Sequence, residues 1–524
     1  MHWIAIALSL LAPHAQAAEA IDSVSIDANR AFVVNRKPFF PIMIWLQDPE
    51  NFPRALEAGC NTVAGYWPNS GGTADVAEYM THVQSAGMYG VMPFDERLKG
   101  NTALLGYIHD DEPDLSHPES DAEIIPDPNL RINEDAPLWK IFDGVTHTWS
   151  VLDPLEGAAF TVKLKTPVKV EKLAVWLTAS PRLSVAREVE FLADGRPLVS
   201  GTLENELGAQ ELSFAPTELK ELTVRVKSTY EGEQVWGSIS EIEGFDAEGQ
   251  SVLLCAPRQV PRQSPEETLA TYRAIKQADD TRPVFLTVTA NFLPAFAKWP
   301  PEEREPLYRA YAEAADAIGF DVYPLYGWGR PDWIDRVRDG AAVLQQLAGN
   351  RPTYQWIETT KGSEWVSEAR QVDVTPRHIR AEVWMAICQG ATAIGYFTHV
   401  WKPVYSQFRV PERNVAAMKW INDQITRLTP VLAAANSETE VGIAIPGHVR
   451  ADIMAKDHEG FLYLFGVVCD PRERGGDATV SVAGLPAGTE VEVIDEDRTI
   501  AADEGGFVDY FGPLEVHAYR IKHW

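Results

Sequence analysis

The stretch Leu104-Leu105-Gly106-Tyr107-Ile108-His109-Asp110-Asp111-Glu112-Pro113 begins as a continuous apolar run and ends in a cluster of carboxylates. A second stretch, Pro352-Thr353-Tyr354-Gln355-Trp356-Ile357-Glu358, has the same form and ends in Glu358. Continuous apolar runs are typical of parallel strands that are buried on both faces. We therefore interpret the two stretches as the fourth and seventh strands of a (β/α)8 barrel, with Glu112 and Glu358 at their carboxyl ends.

Six further apolar runs complete this predicted barrel and place the chain in the α/β class. The remaining strands are predicted at 39–45, 61–67, 89–94, 283–289, 318–323 and 393–398. Helical apolar spacing separates most of them, which predicts helices at 55–59, 73–86, 265–277, 302–317, 333–347, 375–389 and 412–428. The pattern indicates eight β-α units.

The alternation of strands and helices is interrupted once and ends before the carboxyl terminus. Residues 136–250 contain many short strand patterns and no helical one, which predicts a β-sandwich inserted after strand four. The tail alternates with period two and predicts a second small β-sandwich. The predicted domains are a signal peptide (1–20), a first barrel part (21–135), the inserted sandwich (136–250), a second barrel part (251–436) and a C-terminal β-sandwich (437–524).

The amino terminus and the overall charge restrict the location and the partners of the protein. A short apolar run at Trp3–Leu11 is followed by small-x-small cleavage candidates in residues 15–20, which predicts an exported protein, secreted or periplasmic. No later segment is apolar and long enough to anchor it in a membrane. The formal net charge of −29 argues against nucleic acid or an anionic membrane as a partner. The oligomeric state stays open.

Four cysteines lie far apart along the chain and have no metal-ligand spacing. Two of them, Cys60 and Cys388, fall within predicted barrel elements. We predict buried free thiols, although export is also compatible with a disulfide.

The carboxylates at the strand ends suggest the chemistry. Hydrolysis of a glycosidic bond with retention needs two carboxyls about 5 Å apart, one as acid/base and one as nucleophile. We assign these roles to Glu112 and Glu358, with Asp111 and Tyr323 assisting. A glutamate at a strand end is also compatible with a solvated loop, and Glu364 is the alternative nucleophile.

Aromatic residues gather near the same predicted strand ends. Sugar rings stack on aromatic faces, so this pattern indicates a saccharide-binding cleft. The predicted substrate-binding residues are Asp111, Tyr323, Trp401, Trp45, Trp67, Trp356 and His109. Each aromatic residue is also compatible with a core position, and His109 with a core histidine. No nucleophile elbow, zinc helix, P-loop or flavin fingerprint occurs, so no catalytic cofactor is predicted.

The barrel resembles the clan A glycoside hydrolases, the retaining β-glycosidases with catalytic glutamates after strands four and seven. The matching segments are Asp111-Glu112-Pro113, Glu358, Asp321-Val322-Tyr323-Pro324 and 389–397, and the lead-in 34–42 is similar to that of β-galactosidase-like barrels. The resemblance implies that Glu112 is the acid/base and Glu358 the nucleophile. The clan usually has Asn before the acid/base, whereas this chain has Asp111, which leaves the subfamily and the sugar open.

The inserted sandwich resembles discoidin, or coagulation-factor type C, domains. The matching segments are 141–149 near its start and 238–245 near its end. The resemblance implies a structural Ca²⁺ held by Asp143 and Glu241, since oxygen ligands suit this ion. It also implies carbohydrate binding, which many members of that family perform.

Together, these patterns predict an exported retaining hydrolase that cleaves β-glycosidic bonds in a polysaccharide or oligosaccharide. The alternative is a non-catalytic carbohydrate-binding protein on a degenerate barrel. The sequence leaves open the sugar, the linkage and whether cleavage is endo or exo.

Overall fold

A computed structural model describes residues 18–178 and 182–524 of the chain. Residues 1–17 of the predicted signal peptide (1–20) lie outside the described residues. The described chain forms two compact units, residues 18–115 with 261–524, and residues 116–260.

The first unit begins with a small antiparallel sheet and the first four barrel strands. The sheet contains β1 (Val24–Ile26), β2 (Phe32–Val34) and β3 (Lys37–Phe39). The barrel strands are β4 (Ile42–Trp45), β5 (Thr62–Ala64), β6 (Tyr89–Met92) and β7 (Leu104–Ile108), and the helices between them are α1 (Phe52–Glu57) and α2 (Val76–Ser85). Helix α2 begins at an Asp75 cap whose side chain accepts the N–H groups of Ala77 and Glu78.

The second unit consists of antiparallel strands with no α-helix among its described residues. The strands are β8 (Ser116–Glu119), β9 (Ala122–Pro126), β10 (Arg131–Ile132), β11 (Ser150–Asp153), β12 (Ala159–Leu177), β13 (Val185–Ala193), β14 (Arg196–Thr202), β15 (Ala209–Tyr230), β16 (Gly237–Phe245) and β17 (Arg258–Pro261). The unit starts at Ser116, ahead of the predicted Ala136, because β9 pairs with β12.

The chain then returns to the first unit and completes the barrel. The elements are α3 (Pro265–Ala278), β18 (Val284–Val288), α4 (Pro301–Glu313), β19 (Ala317–Asp321), α5 (Asp335–Ala348), β20 (Thr353–Glu358), α6 (Pro376–Cys388), β21 (Ala393–Phe397) and α7 (Glu412–Leu432). Strand β7 pairs with β18 and β21 pairs with β4, both parallel, so the eight strands close into one parallel barrel.

The C-terminal residues of the first unit form two antiparallel sheets. Their strands are β22 (Val441–Ala444), β23 (Ala451–His458), β24 (Phe461–Val468), β25 (Gly476–Val482), β26 (Glu490–Val493), β27 (Arg498–Ala501), β28 (Gly506–Phe511) and β29 (Val516–Lys522). Alternate residues of β25 are buried, as the period-two pattern of this region predicts.

The predicted fold class needs correction. The α/β class is wrong for the whole chain, because antiparallel sheets accompany the parallel barrel and strands (37%) outweigh helices (22%). The chain is therefore a mixed α and β protein. The eight β-α units are also wrong, since only a 3₁₀ turn at Glu96–Leu98 lies between β6 and β7 in the described chain.

The predicted end of the fourth strand is wrong as well. Strand β7 ends at Ile108, and Glu112 lies in the loop beyond it. The loop continues along β18, because the N–H groups of His109 and Glu112 donate to the carbonyls of Phe285 and Thr287. The seventh strand, β20, ends at Glu358 as predicted.

The four cysteines are unpaired, as predicted. Cys60, Cys255 and Cys469 are buried and Cys388 is half-buried. In the described part of the chain, no helix has both the length and the apolar composition that crossing a bilayer requires.

Candidate active site

A cavity of about 360 Å³ opens at the carboxyl end of the barrel. It is lined by Trp45, Leu46, Gly65, Tyr66, Trp67, Pro93, Ile108, His109, Asp110, Asp111, Glu112, Asp321, Tyr323, Trp356, Trp365, Phe397, His399 and Trp401. These residues lie at or beyond the ends of the barrel strands. In barrel enzymes this face holds the active site, because the βα loops converge there.

Three carboxyl groups of this lining lie together. The carboxyl of Asp321, at the end of β19, is within hydrogen-bonding distance of that of Glu112. Burial, and then the negative charges of Glu112 and Asp111, raises the pKa of Asp321 well above its usual range. Burial and the charge of Glu112 also raise the pKa of Asp111, to about 8. Like charges this close cannot all ionise, so the cluster retains protons near neutral pH.

The backbone of Glu112 adopts a conformation that is rare for residues other than glycine. Its φ angle is 48°, in the left-handed region. The conformation is held from both sides, because its N–H donates to the Thr287 carbonyl at 3.2 Å and its carbonyl accepts from the Arg262 guanidinium at 2.9 Å. Such backbone strain costs on the order of 1–3 kcal/mol and clusters at functional sites.

Asp114 ties the Glu112 loop to the neighbouring strand. Its fully buried carboxylate accepts hydrogen bonds from the Thr289 N–H at 2.8 Å, the Thr289 hydroxyl at 2.6 Å and the Tyr308 hydroxyl at 2.6 Å. Thr289 follows β18, so these bonds fix the loop beyond β7 against the next strand of the barrel. Burial raises the pKa of Asp114 to about 6, and the three donors oppose that rise.

Glu358 occupies a different environment from Glu112. Its carboxylate accepts the N–H groups of Leu325 at 2.9 Å and Tyr326 at 2.5 Å, and it faces the carboxyl of Glu382 in α6. Burial raises the pKa of Glu358 to about 7. Among the described residues, Glu358 is not part of the cavity lining, whereas Glu112 is. The structure therefore does not bring the two predicted catalytic glutamates to one cavity.

The predicted aromatic residues all line the cavity, at two depths. Trp45 and Trp356 are buried and pack at 5.0 Å between ring centroids, with the Trp356 indole donating to the Thr287 hydroxyl at 3.0 Å. Trp67 and Trp365 are 37% and 62% exposed and border the opening. The cavity thus has an aromatic floor and an aromatic rim.

Trp401 differs from the other tryptophans of the cavity. Its ring packs against that of Tyr405 at 4.8 Å. Its indole nitrogen is buried and has no hydrogen-bond partner within the described chain. Such an unsatisfied buried donor costs free energy in the unliganded protein.

The two histidines of the lining are tied to the backbone. The Nε2 atom of His109 lies 2.9 Å from the Ala314 carbonyl, and that of His399 lies 3.0 Å from the Leu46 carbonyl. Burial lowers the pKa of both, so both are neutral at pH 7. Because Nε2 of His109 contacts a backbone carbonyl, Nδ1 is the ring atom of His109 that could contact a substrate.

In the second unit, the two predicted calcium ligands lie together. Glu241 is fully buried and its carboxyl faces that of Asp143. Burial, and then Asp143, raises the pKa of Glu241 to about 8. The Val145 N–H donates to Asp143 at 2.9 Å, and the Glu241 Oε1 atom has no partner in the described chain. No group of three or more such ligand side chains occurs among the described residues.

Asp321 is the main residue that the predicted site omits. A carboxylate at the end of a parallel strand was visible in the sequence, since Asp321 follows the apolar run of β19. Its contact with Glu112, 209 positions earlier, could not be inferred from local pattern. Glu382 was also missed, because a glutamate within a helix is usually a solvated residue.

Comparison with known proteins identifies no family for the chain. No family model matches it, and no curated protein matches it. Solved structures with some likeness include carbohydrate-binding domains. A family 32 carbohydrate-binding module of NanJ from Clostridium perfringens, in complex with galactose, is 17% identical, with 25% of this chain and 98% of that chain covered and a TM-score of 0.20.

Two further structures have similarly low sequence identities and TM-scores. The CBM32 of AlyQ in complex with 4,5-unsaturated mannuronic acid is 16% identical, with 25% of this chain and 99% of that chain covered and a TM-score of 0.21. For a two-domain CBM32 structure of ZmpB from Clostridium perfringens the identity is 19%, the match spans 24% of this chain and 32% of that one, and the TM-score is 0.20. TM-scores this low leave the clan A and discoidin resemblances as predictions.

Proposed function

We propose that the protein is a glycoside hydrolase that cleaves β-glycosidic bonds in a polysaccharide or oligosaccharide. The observation that carries the proposal is the carboxyl cluster of Asp111, Glu112 and Asp321 inside an aromatic-lined cavity at the carboxyl end of the barrel. Carboxyl groups that share protons supply both the acid and the base that this hydrolysis needs. Aromatic faces supply the platform for sugar rings.

In the proposed mechanism, Glu112 is the acid/base and Asp321 is the nucleophile. The proton shared by the hydrogen-bonded pair moves to Glu112, which protonates the leaving oxygen while the Asp321 carboxylate attacks the anomeric carbon; this forms a glycosyl-enzyme ester and releases the alcohol. Glu112 then removes a proton from water, and the resulting attack frees the sugar and the Asp321 carboxylate. The two carboxyls are in contact in the free protein, and we propose that a sugar bound between them separates them to the roughly 5 Å spacing of retaining enzymes.

The charge of the cavity favours an uncharged saccharide. Its lining contains four carboxylate side chains, Asp110, Asp111, Glu112 and Asp321, and among the described residues no lysine or arginine. A uronate or sulfate ester would meet like charge in this lining, because the nearby Arg262 guanidinium donates to the Glu112 carbonyl and is not part of the lining. We therefore propose that the substrate is a neutral glycan.

The alternative function is carbohydrate binding without turnover, which the position of Glu358 favours. A barrel whose strand-seven glutamate is away from the cavity lacks the two-glutamate arrangement that the clan A resemblance implies. We further propose that the second unit, residues 116–260, binds carbohydrate, as its discoidin-like segments suggest.

The experiment that tests the proposal is release of product from a panel of aryl β-glycosides and neutral glycans. Time-resolved NMR of the first-formed anomer reports the stereochemistry, and we expect retention. Inversion would contradict the role of Asp321 as the nucleophile, because inverting enzymes form no glycosyl-enzyme ester. Saturable glycan binding without any product would favour the alternative.

Trp401 is expected to contribute to substrate affinity through both its face and its N–H group. Trp401→Ala should raise KM by about 10- to 100-fold, because stacking on an aromatic ring contributes on the order of 1–3 kcal/mol. Trp401→Phe keeps a ring but removes the unpaired donor, so it should give an intermediate KM. Steady-state kinetics with one glycoside checks both variants. Equal KM values for Trp401→Phe and wild type would contradict a hydrogen bond from the Trp401 N–H group to the substrate.

We propose that Asp143 and Glu241 hold a structural Ca²⁺ in the second unit. The unpartnered Glu241 oxygen beside a second carboxylate fits a hard cation that takes oxygen ligands. When no ion is bound, the raised pKa of Glu241 means that the folded chain holds a proton which the unfolded chain releases. The free energy of unfolding therefore falls as the pH rises from the usual glutamate range to about 8.

Calcium is therefore expected to raise the Tm of the full-length protein, and more so at pH 8 than at pH 5. Glu241→Gln should abolish this shift while it stabilises the chelator-treated protein at pH 8. Differential scanning calorimetry with calcium or chelator checks both. A Tm that is indifferent to calcium in the wild type would contradict the site.

A further inference from the structure

Two buried glutamates of the barrel wall face each other, and no cation of the described chain lies beside them. Glu358 ends β20 and Glu382 lies in α6, and both side chains are fully buried. Neither carboxylate oxygen of Glu382 accepts a well-formed hydrogen bond in the described chain, although the Glu358 backbone N–H is near enough to favour its charged form. Within residues 18–178 and 182–524, no lysine, arginine or histidine is near enough to shift the pKa of either glutamate.

Such a pair is stable only if it carries a proton. Two ionised carboxylates in contact and out of water repel each other and lose their hydration. Glu358 already accepts two backbone N–H groups, which favour its charged form. Glu382 therefore holds the proton and donates it to Glu358, and burial with the charge of Glu358 raises the pKa of Glu382 well above its usual range.

The two backbone donors belong to the segment that forms one wall of the cavity. Leu325 and Tyr326 follow β19 by a few residues, and Tyr323 of the same segment lines the cavity. The Tyr326 ring packs at 6.1 Å against Trp365 and at 5.3 Å against Phe397, and both of these residues line the cavity. The Glu358 carboxylate thus anchors the wall from behind.

We propose that Glu358 is a positioning residue rather than the nucleophile. It accepts the Leu325 and Tyr326 N–H groups and the Glu382 O–H, and so holds residues 321–326 with Asp321 against Glu112. The inference rests on the proposed function for its kinetic consequences only. The anchoring itself is tested without turnover.

Amide hydrogen exchange of Leu325 and Tyr326 tests the anchoring directly. In Glu358→Gln, the carboxamide has one acceptor oxygen, and its NH₂ group faces the other backbone N–H. We expect exchange at these two amides to accelerate at least tenfold while amides of β4 and β5 are unchanged.

Glu382→Gln is the matched variant, because its NH₂ group can donate to Glu358 in place of the proton. It should keep the two amides protected. Because Gln does not titrate, it should also stabilise the protein relative to wild type by a margin that grows as pH rises above the usual glutamate range. Unchanged exchange in Glu358→Gln, or loss of protection in Glu382→Gln, would overturn the anchoring.

Mechanism-based labelling separates positioning from nucleophilic attack in the wild-type protein. A 2-deoxy-2-fluoro glycoside of the sugar that the panel identifies traps the glycosyl-enzyme ester, and peptide mapping finds the modified residue. We expect the label on Asp321, and a label on Glu358 would overturn the inference.

The kinetics of Glu358→Gln give a second reading. Loss of positioning should lower kcat/KM by about 10- to 100-fold, as removal of supporting hydrogen bonds commonly does. Loss of a nucleophile costs orders of magnitude more. If the wild type turns over no glycoside, the proposed function fails while the exchange experiment still decides the anchoring.

Discussion

Glu112→Gln is expected to lower kcat by about 10²–10⁴ for glycosides with poor leaving groups, because general acid catalysis contributes roughly that factor. Gln cannot protonate the departing oxygen, yet it has the size of Glu112 and can hydrogen-bond to Asp321. The loss should be smaller for an aryl glycoside with an acidic leaving group, which departs without protonation. Steady-state kinetics on a series of aryl glycosides measures this dependence.

Glu364→Gln is the matched control for Glu112→Gln. Glu364 is an exposed glutamate beside Trp365 and the alternative that the sequence left open. It should retain wild-type kinetics on the whole series. A uniform loss in Glu112→Gln, independent of the leaving group, would contradict its role as the acid.

Asp321→Asn is expected to abolish turnover while it stabilises the fold. Removal of a nucleophile lowers kcat by on the order of 10⁴–10⁶. The raised pKa of Asp321 means that the folded protein holds a proton that the unfolded chain releases, so wild-type stability falls as pH rises above about 4. Asn does not titrate, and its amide can donate to Glu112.

The stability gain of Asp321→Asn should therefore grow with pH. Urea unfolding at pH 5 and pH 8, beside activity on the best substrate, measures both effects. Lost activity together with lower stability at pH 8 would indicate a structural role for Asp321. Retained activity would show that the Asp321 carboxylate takes no part in the reaction.

Local sequence patterns predicted most of the elements in the barrel. Helix α3 begins with Pro265 after a Ser264–Glu267 capping box, and such a signal depends only on neighbouring residues. The continuous apolar run of β20 is buried at every position, as a parallel strand covered on both faces requires. The fold class was wrong because the sheets outside the barrel contribute more strand than the barrel helices contribute helix.

The site was predictable in its location and composition but not in its pairing. The strand ends indicated where carboxylates and aromatic rings gather, since parallel strands end at a common face. The assignment of Glu358 as partner of Glu112 assumed that each strand-end side chain points into the cavity. Two backbone N–H groups and a buried glutamate hold Glu358 elsewhere, and each of these partners is distant in sequence.

The sequence by itself determined most of the order of strands and helices, the inserted run of β-strands and the aromatic composition of the cavity. These properties follow from apolar periodicity and local backbone preference, which act over a few residues. Only the tertiary structure decided that Glu112 faces Asp321 and that Glu358 faces Glu382. The reason is that such pairs depend on the left-handed backbone at Glu112 and on strands and helices that close the barrel over hundreds of residues.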